Sequence, residues 1–184
     1  EATNKAKKII ADSEMTQGLS ALGTNVMMNH MNEVGALPAR NWQDSTFDNA
    51  PKLSSEAMAV PRESDGKPNL TRNAGCFACT ISCGRISTID PEHFSIKNRD
   101  DIHKHFKGNS GGNEYEAAWA LGCDTGVDDL DAVTYANFVC NEQALDPISA
   151  GATIAAAMEL YELGILTKED TGGIEMNFGN AEAM

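Results

Sequence analysis

The sequence is poor in positive charge. Fourteen Lys and Arg stand against 27 Asp and Glu, which leaves a net charge of −13 with the histidines neutral. Proteins that hold nucleic acid clamp its phosphates with clustered Lys and Arg, so this balance argues against such a partner. Long apolar runs are also missing: none approaches the roughly 20 residues of a membrane helix, so no membrane span is expected. No internal period marks a repeat array or a collagen, and alternating strand patterns are scarce. What remains is an apolar content of 41%, too high for a wholly disordered chain. A chain of 184 residues can bury roughly 70% of its unfolded surface, enough for a core, and one domain is the expectation. No signal peptide is visible and the chain begins at Glu1, as expected of a processed protein or a piece of a longer one.

The five cysteines are an odd number, and three of them lie within Cys76–Cys83. That crowding suits metal or cluster binding in a reducing compartment better than a disulfide framework, and it leads to the expectation of a cytoplasmic protein.

Periodicity gives a mainly helical reading. Residues 1–12 form a short helix with Lys5, Lys7 and Lys8 on its exposed side. A longer helix is expected from about Thr16 to Val34, with Leu19, Leu22, Val26, Met27 and Met31 in one stripe and Gly35 as its stop. Pro38, Pro51, Pro61 and Pro68 puncture the stretch from Ala36 to Thr71. It reads as a long ordered loop with one short helix near Ser54 to Met58. Three further helices are expected: Glu114 to Leu121, Asp129 to Gln143, and an Ala-rich one opened by Asp146-Pro147 and stopped at Gly164. The fold class is therefore all-α: an irregular multihelical domain with long loops and few or no strands.

The spacing Cys76-x2-Cys79-x3-Cys83, with Gly75 before it and Gly84 after it, is the chemically pointed feature. Thiolates are the soft ligands of iron–sulfur clusters and zinc, and short spacings let one loop wrap three corners of a cluster. Flanking glycines let the backbone come close. Zinc would more usually bring a second C-x2-C or a His pair. Cys123, after Gly122, and Cys140, on an apolar helix face, are the local candidates for a fourth ligand, but each reads better as a small buried hydrophobe.

Beyond this cluster, five segments occur in one order. They are Gly35-Ala-Leu-Pro-Ala-Arg-Asn41, the cysteine motif followed by Gly84-Arg85, Glu114-Tyr-Glu116, Cys140-Asn-Glu-Gln-Ala-Leu-Asp146, and Ile148-Ser-Ala-Gly-Ala-Thr-Ile154. Together they resemble the aldehyde ferredoxin oxidoreductase family of tungsten- or molybdenum-dependent enzymes, over nearly the whole chain.

The resemblance implies that the chain is about a third of such an enzyme: the first helical domain and the beginning of the next one. It implies a [4Fe–4S] cluster with Cys76, Cys79 and Cys83 as three ligands and the fourth cysteine beyond Met184. It implies a tungsten- or molybdenum-bispterin at the junction with the remaining domains of the enzyme. Glu116 takes the place of the active-site glutamate. Asn141 to Asp146 resembles the pterin-binding D-x-x-G-L-D motif: Leu145 and Asp146 match, Asn141 replaces the first Asp and Ala144 replaces the Gly. Ala144 gives up freedom at positive φ, so a differently shaped turn is expected.

Further implications concern partners and surroundings. Ferredoxin or another redox protein is the implied electron acceptor, and association into a homo-oligomer is left open. The chain contains no E-x-x-H, the pattern some members use for a metal bridging two subunits, so no such metal is expected. The polar stretch 89–113 is longer than in compact members and is expected to be a surface insertion. Arg40 and Arg85 read equally as surface arginines or as neutralisers of phosphate or cluster charge. A piece of this kind is expected to be inactive alone. Two readings from other classes stand beside it: a self-contained iron–sulfur electron-transfer domain using Cys123 or Cys140 as fourth ligand, and a zinc-stabilised scaffold.

Overall fold

The computed structural model describes residues 1–99 and 110–184. Helices dominate: α1 (Ala2–Ala11), α2 (Glu14–Leu22), α3 (Met27–Glu33), α4 (Ser55–Ala59), α5 (Tyr115–Ala118), α6 (Leu130–Glu142) and α7 (Pro147–Glu162). Short 3-10 turns at Thr24–Val26 and Ala50–Leu53 precede α3 and α4. The chain is mainly helical, as the periodicity indicates, but it is not purely so. Strands β1 (Leu70–Ala74), β2 (Gly84–Ser87) and β3 (Ser110–Gly111) form one small antiparallel sheet in the order β1-β2-β3.

The sheet is hard to read from sequence because its polarity is inverted. On β2 the buried positions are Arg85 and Ser87, while Ile86 is half exposed. A pattern search looks for apolar residues on the inner face, and this strand places polar ones there.

The expected Thr16–Val34 helix is broken. Gly23, at φ 71°, ends α2, and a 3-10 turn leads into α3. The break shifts the phase of the apolar stripe, so Met28 is fully buried while Met27 is exposed. It is fixed from outside the helix. The guanidinium of Arg85 lies against Gly23 where a Cβ would be, and the Thr24 hydroxyl bonds the Glu114 carboxylate and accepts the Tyr115 amide at 3.0 Å. Gly35 stops α3 as expected, at φ 70° with the Ala36 amide on the Met31 carbonyl.

The helix expected over Glu114–Leu121 is shorter and changes pitch. After α5 the chain widens into a π-helical turn, Trp119–Cys123. This turn is the centre of the core: Trp119, Ala120, Leu121 and Cys123 pack with Met28, Leu37, Leu53, Val127 and Val133. α7 lies across it. The cap read from sequence holds: Asp146 accepts the Ile148 and Ser149 amides at the start of α7; Asp129 likewise accepts those of Asp131 and Ala132 at the start of α6.

The described part of 89–113 is not merely surface. Ile89 and Ile96 are buried on Phe138, and residues 110–111 pair with β2. The remainder of the expected insertion lies outside the described residues.

Candidate functional site

The cysteine motif is the loop of the β1–β2 hairpin. Ala74 pairs with Gly84, and residues 75–83 run between them. Ala78 and Ser82, each directly before a cysteine, are left-handed at φ 57° and 54°. The Cys79 amide donates to the Cys76 carbonyl at 3.0 Å, and the Ile81 amide donates to the Cys79 sulfur at 3.4 Å. The amides of Ser82 and Ile81 hold the Cys79 thiol below its ordinary range, the usual effect of donors aimed at a thiolate. The flanking glycines serve loop closure. A Cβ on Gly75 would meet the Ser82 hydroxyl at 2.5 Å, and one on Gly84 the Ala74 carbonyl at 2.9 Å.

All three thiols are free and line one cleft of about 620 Å³. The same cleft is lined by Glu116 from α5 and by Asn137 and Asn141 from α6, one helical turn apart on the same face. Ile86, Ala117, Pro147 and Ile148 add apolar lining, and Glu114 and Arg85 add charged lining. Glu116 itself is exposed to the open cleft. The structure thus brings together Cys76, Cys79, Cys83, Glu116 and Asn141, which the sequence separates.

Leu145 and Asp146 stand differently. Leu145 lines a second, mostly apolar cavity of about 490 Å³ together with Cys140 and Ile154. Asp146 is the N-cap of α7. Its carboxylate accepts the Ile148 and Ser149 amides at 3.4 and 3.0 Å and the Ser149 hydroxyl at 2.5 Å, and these bonds hold its pKa low. Pro147 has no N–H, so the first turn of α7 keeps no free amide for a ligand. Ala144 adopts the left-handed conformation that glycine favours, at φ 55°.

The other two cysteines are structural. Cys123 is 0% exposed, 3.6 Å from the Met28 sulfur, and burial pushes its thiol up to about 12. Cys140 is buried away from the cleft, and its thiol is also raised by burial.

Arg85 and Arg40 resolve differently. Arg40 is a surface residue paired with Glu162 at 3.0 Å. Arg85 is only 2% exposed, and burial lowers its pKa. Its guanidinium donates to the carbonyls of Gly84 (2.8 Å), Leu19 (3.1 Å) and Ser82 (3.5 Å), while its Nε is buried without a partner. Asn137, which anchors β3 through the Gly111 carbonyl at 3.1 Å, belongs to none of the sequence motifs. Its position four residues before Asn141 was the available signal.

The comparisons with known proteins bear on this geometry. The family model "Aldehyde ferredoxin oxidoreductase, domains 2 & 3" matches residues 1–184. The chain belongs to the aldehyde ferredoxin oxidoreductase family. Among its relatives, the tungsten-containing aldehyde ferredoxin oxidoreductase of Pyrococcus abyssi is 39% identical over 183 residues, 98% of this chain and 26% of that protein. The protein of the same name from Pyrococcus horikoshii shows the same identity and coverage. The one from Thermococcus kodakarensis is 38% identical over 181 residues, with the same two shares covered. The chain thus spans about a quarter of the length of these relatives, less than the third expected.

The residues of this aldehyde ferredoxin oxidoreductase segment fit the groups that the family implies. The donor set of the hairpin loop is three soft thiols with an amide already aimed at one sulfur. The thiols are not drawn together as one closed site: among the described residues no three His, Cys, Asp or Glu side chains form a metal-holding group. Also among the described residues, no helix is long and apolar enough to cross a membrane.

Proposed function

We propose that the chain is the part of an aldehyde-oxidising enzyme that faces a tungsten- or molybdenum-bispterin centre and holds three corners of a [4Fe–4S] cluster. One observation carries this reading: Cys76, Cys79, Cys83, Glu116 and Asn141 line a single cleft. The relatives' names support tungsten over molybdenum. When bound, the metal–pterin centre supplies the two-electron redox chemistry and the cluster a one-electron relay to ferredoxin or another redox protein.

The chain's own residues divide the remaining work. Cys76, Cys79 and Cys83 supply thiolates, and the Ser82 and Ile81 amides hold the Cys79 thiol below its ordinary range. The fourth ligand comes from outside this chain, since Cys123 and Cys140 are buried elsewhere. Aldehyde oxidation adds a water oxygen to the carbonyl carbon and releases protons. Glu116, which lines the cleft together with Ala117 and Ile148, accepts one. Asn141 offers a donor and an acceptor, without charge, to the polar edge of a pterin. Leu145 holds the turn that presents Asn141, and Asp146 keeps acceptor capacity beyond its capping bonds. Other domains of the enzyme close the open side of the cleft, so this chain alone is inactive. Cluster thiolates require a reducing setting, which supports the cytoplasm.

The test is elemental analysis of the full-length protein, purified without oxygen, with dye reduction by short and aromatic aldehydes. The reading expects tungsten or molybdenum, about four irons per subunit, and aldehyde-dependent reduction. Iron with neither heavy metal, and no aldehyde activity after metal-replete growth, would replace it with the electron-carrier reading.

A further inference from the structure

We infer that Arg85 is the fixed counter-charge of the cysteine loop: a positioning residue whose buried guanidinium raises the reduction potential of the cluster held there. The inference rests on the function proposed above and adds a residue that the ligand set does not include.

Three observations lead to it. First, Arg85 is held by carbonyls alone. Its bonds go to Gly84, Leu19 and Ser82, and no carboxylate lies within ion-pair distance of it among the described residues. Arginine stays protonated in proteins, so its charge cannot be shed by titration. A buried cation with no carboxylate bonded to it is costly unless an anion completes the site. Second, Arg85 lines the cleft with Cys83, and its guanidinium donates to the carbonyls of Ser82 and Gly84, the residues on either side of that cysteine. Third, room has been kept for it. Gly23 breaks the α2–α3 helix at this point, and any Cβ there would overlap the guanidinium. The chain interrupts a helix to seat this one side chain.

The anion that completes the site is the cluster. Thiolates and sulfides give it a net negative charge, and each added electron makes it more negative. A fixed cation stabilises the reduced form more than the oxidised one, which raises the potential. The neighbouring Glu114 carboxylate works in the opposite sense. It accepts the Thr24 hydroxyl.

The experiment is a redox titration of the cluster, followed by electron paramagnetic resonance, in the full-length holoenzyme. Arg85→Gln is compared with native protein and with Arg85→Lys, with iron, tungsten and pterin measured in each. The expected result is a more negative midpoint potential in Arg85→Gln at unchanged metal and pterin content, largely restored in Arg85→Lys. A potential unchanged in Arg85→Gln with iron retained would overturn the inference. So would an equal shift in both variants, which would mark a purely steric role. Loss of pterin and tungsten at an unchanged potential would overturn it too, by assigning the cation to a pterin phosphate. Where Arg85→Gln loads too little iron to titrate, Gly23→Ala displaces the guanidinium without removing it, and an unmoved potential there overturns the inference. Native protein without any cluster signal would instead defeat the underlying function.

Discussion

The backbone amide of Leu145 donates to the Cys140 carbonyl at 2.8 Å, and that of Ala144 to the Asn141 carbonyl at 3.4 Å. These two bonds are a Schellman closure of α6, with Ala144 as its left-handed residue and Leu145 folded back beside Cys140. The closure gives physical meaning to the motif at 141–146. Asn141 sits in the last turn of α6 facing the cleft, position 144 reverses the chain, Leu145 clasps the helix from behind, and Asp146 starts the next helix.

A residue with a Cβ pays roughly 1–2 kcal/mol in the left-handed conformation, part of which glycine gives back through the freedom of the unfolded chain. Ala144→Gly should therefore stabilise the fold by about 1 kcal/mol. Denaturant unfolding of the two proteins should give a higher midpoint for the variant at an unchanged slope.

Glu116→Gln removes the proton acceptor and keeps the shape of the side chain. In the full-length enzyme, turnover should fall by roughly 100- to 10,000-fold while tungsten and iron contents stay at native levels. Normal turnover with an intact cofactor would exclude Glu116 from the chemistry.

Asp124 follows the π-turn and is fully buried. Burial pushes its carboxyl up to about 6, and the Trp42 and Asn41 amides hold it back only in part. Neither of its oxygens meets a donor at full hydrogen-bond geometry. The unfolded carboxyl loses its proton near pH 3.8 and the folded one near 6, so between these values the folded form binds more protons. Stability therefore falls as pH rises through this window, by on the order of 2–3 kcal/mol. Asp124→Asn should leave stability nearly unchanged below the window and raise it above. Urea midpoints at both ends of the window check the sign.

Cys79 is exposed, with its thiol held below the ordinary range, whereas Cys123 is buried and pushed up to about 12. In cluster-free native protein, brief treatment with iodoacetamide at neutral pH should label Cys79 and spare Cys123. Peptide mass spectrometry reads the outcome, and equal labelling would contradict the geometry of the loop.

Much of this fold was legible in the sequence where local rules decide. Asp129, Asp146 and Gly164 mark helix ends by chemistry that acts within one turn, and the structure honours each. The three cysteines announced their own loop. What stayed hidden depends on distant contacts. The break at Gly23 is imposed by Arg85, and β2 turns polar side chains inward. The π-turn after α5 is an insertion that no apolar period marks, and it carries the centre of the core.

The hairpin loop also constrains which changes its lineage can absorb. Its ends close tightly at Gly75, against Ser82, and at Gly84, against the Ala74 carbonyl, and the residues before Cys79 and Cys83 are left-handed. Between these anchors Phe77 and Thr80 are exposed. Their spelling is free to drift, while the loop's length is not: one residue gained or lost would turn Cys83 out of the cleft. Family members should therefore differ freely in the letters between these cysteines and hardly ever in their number.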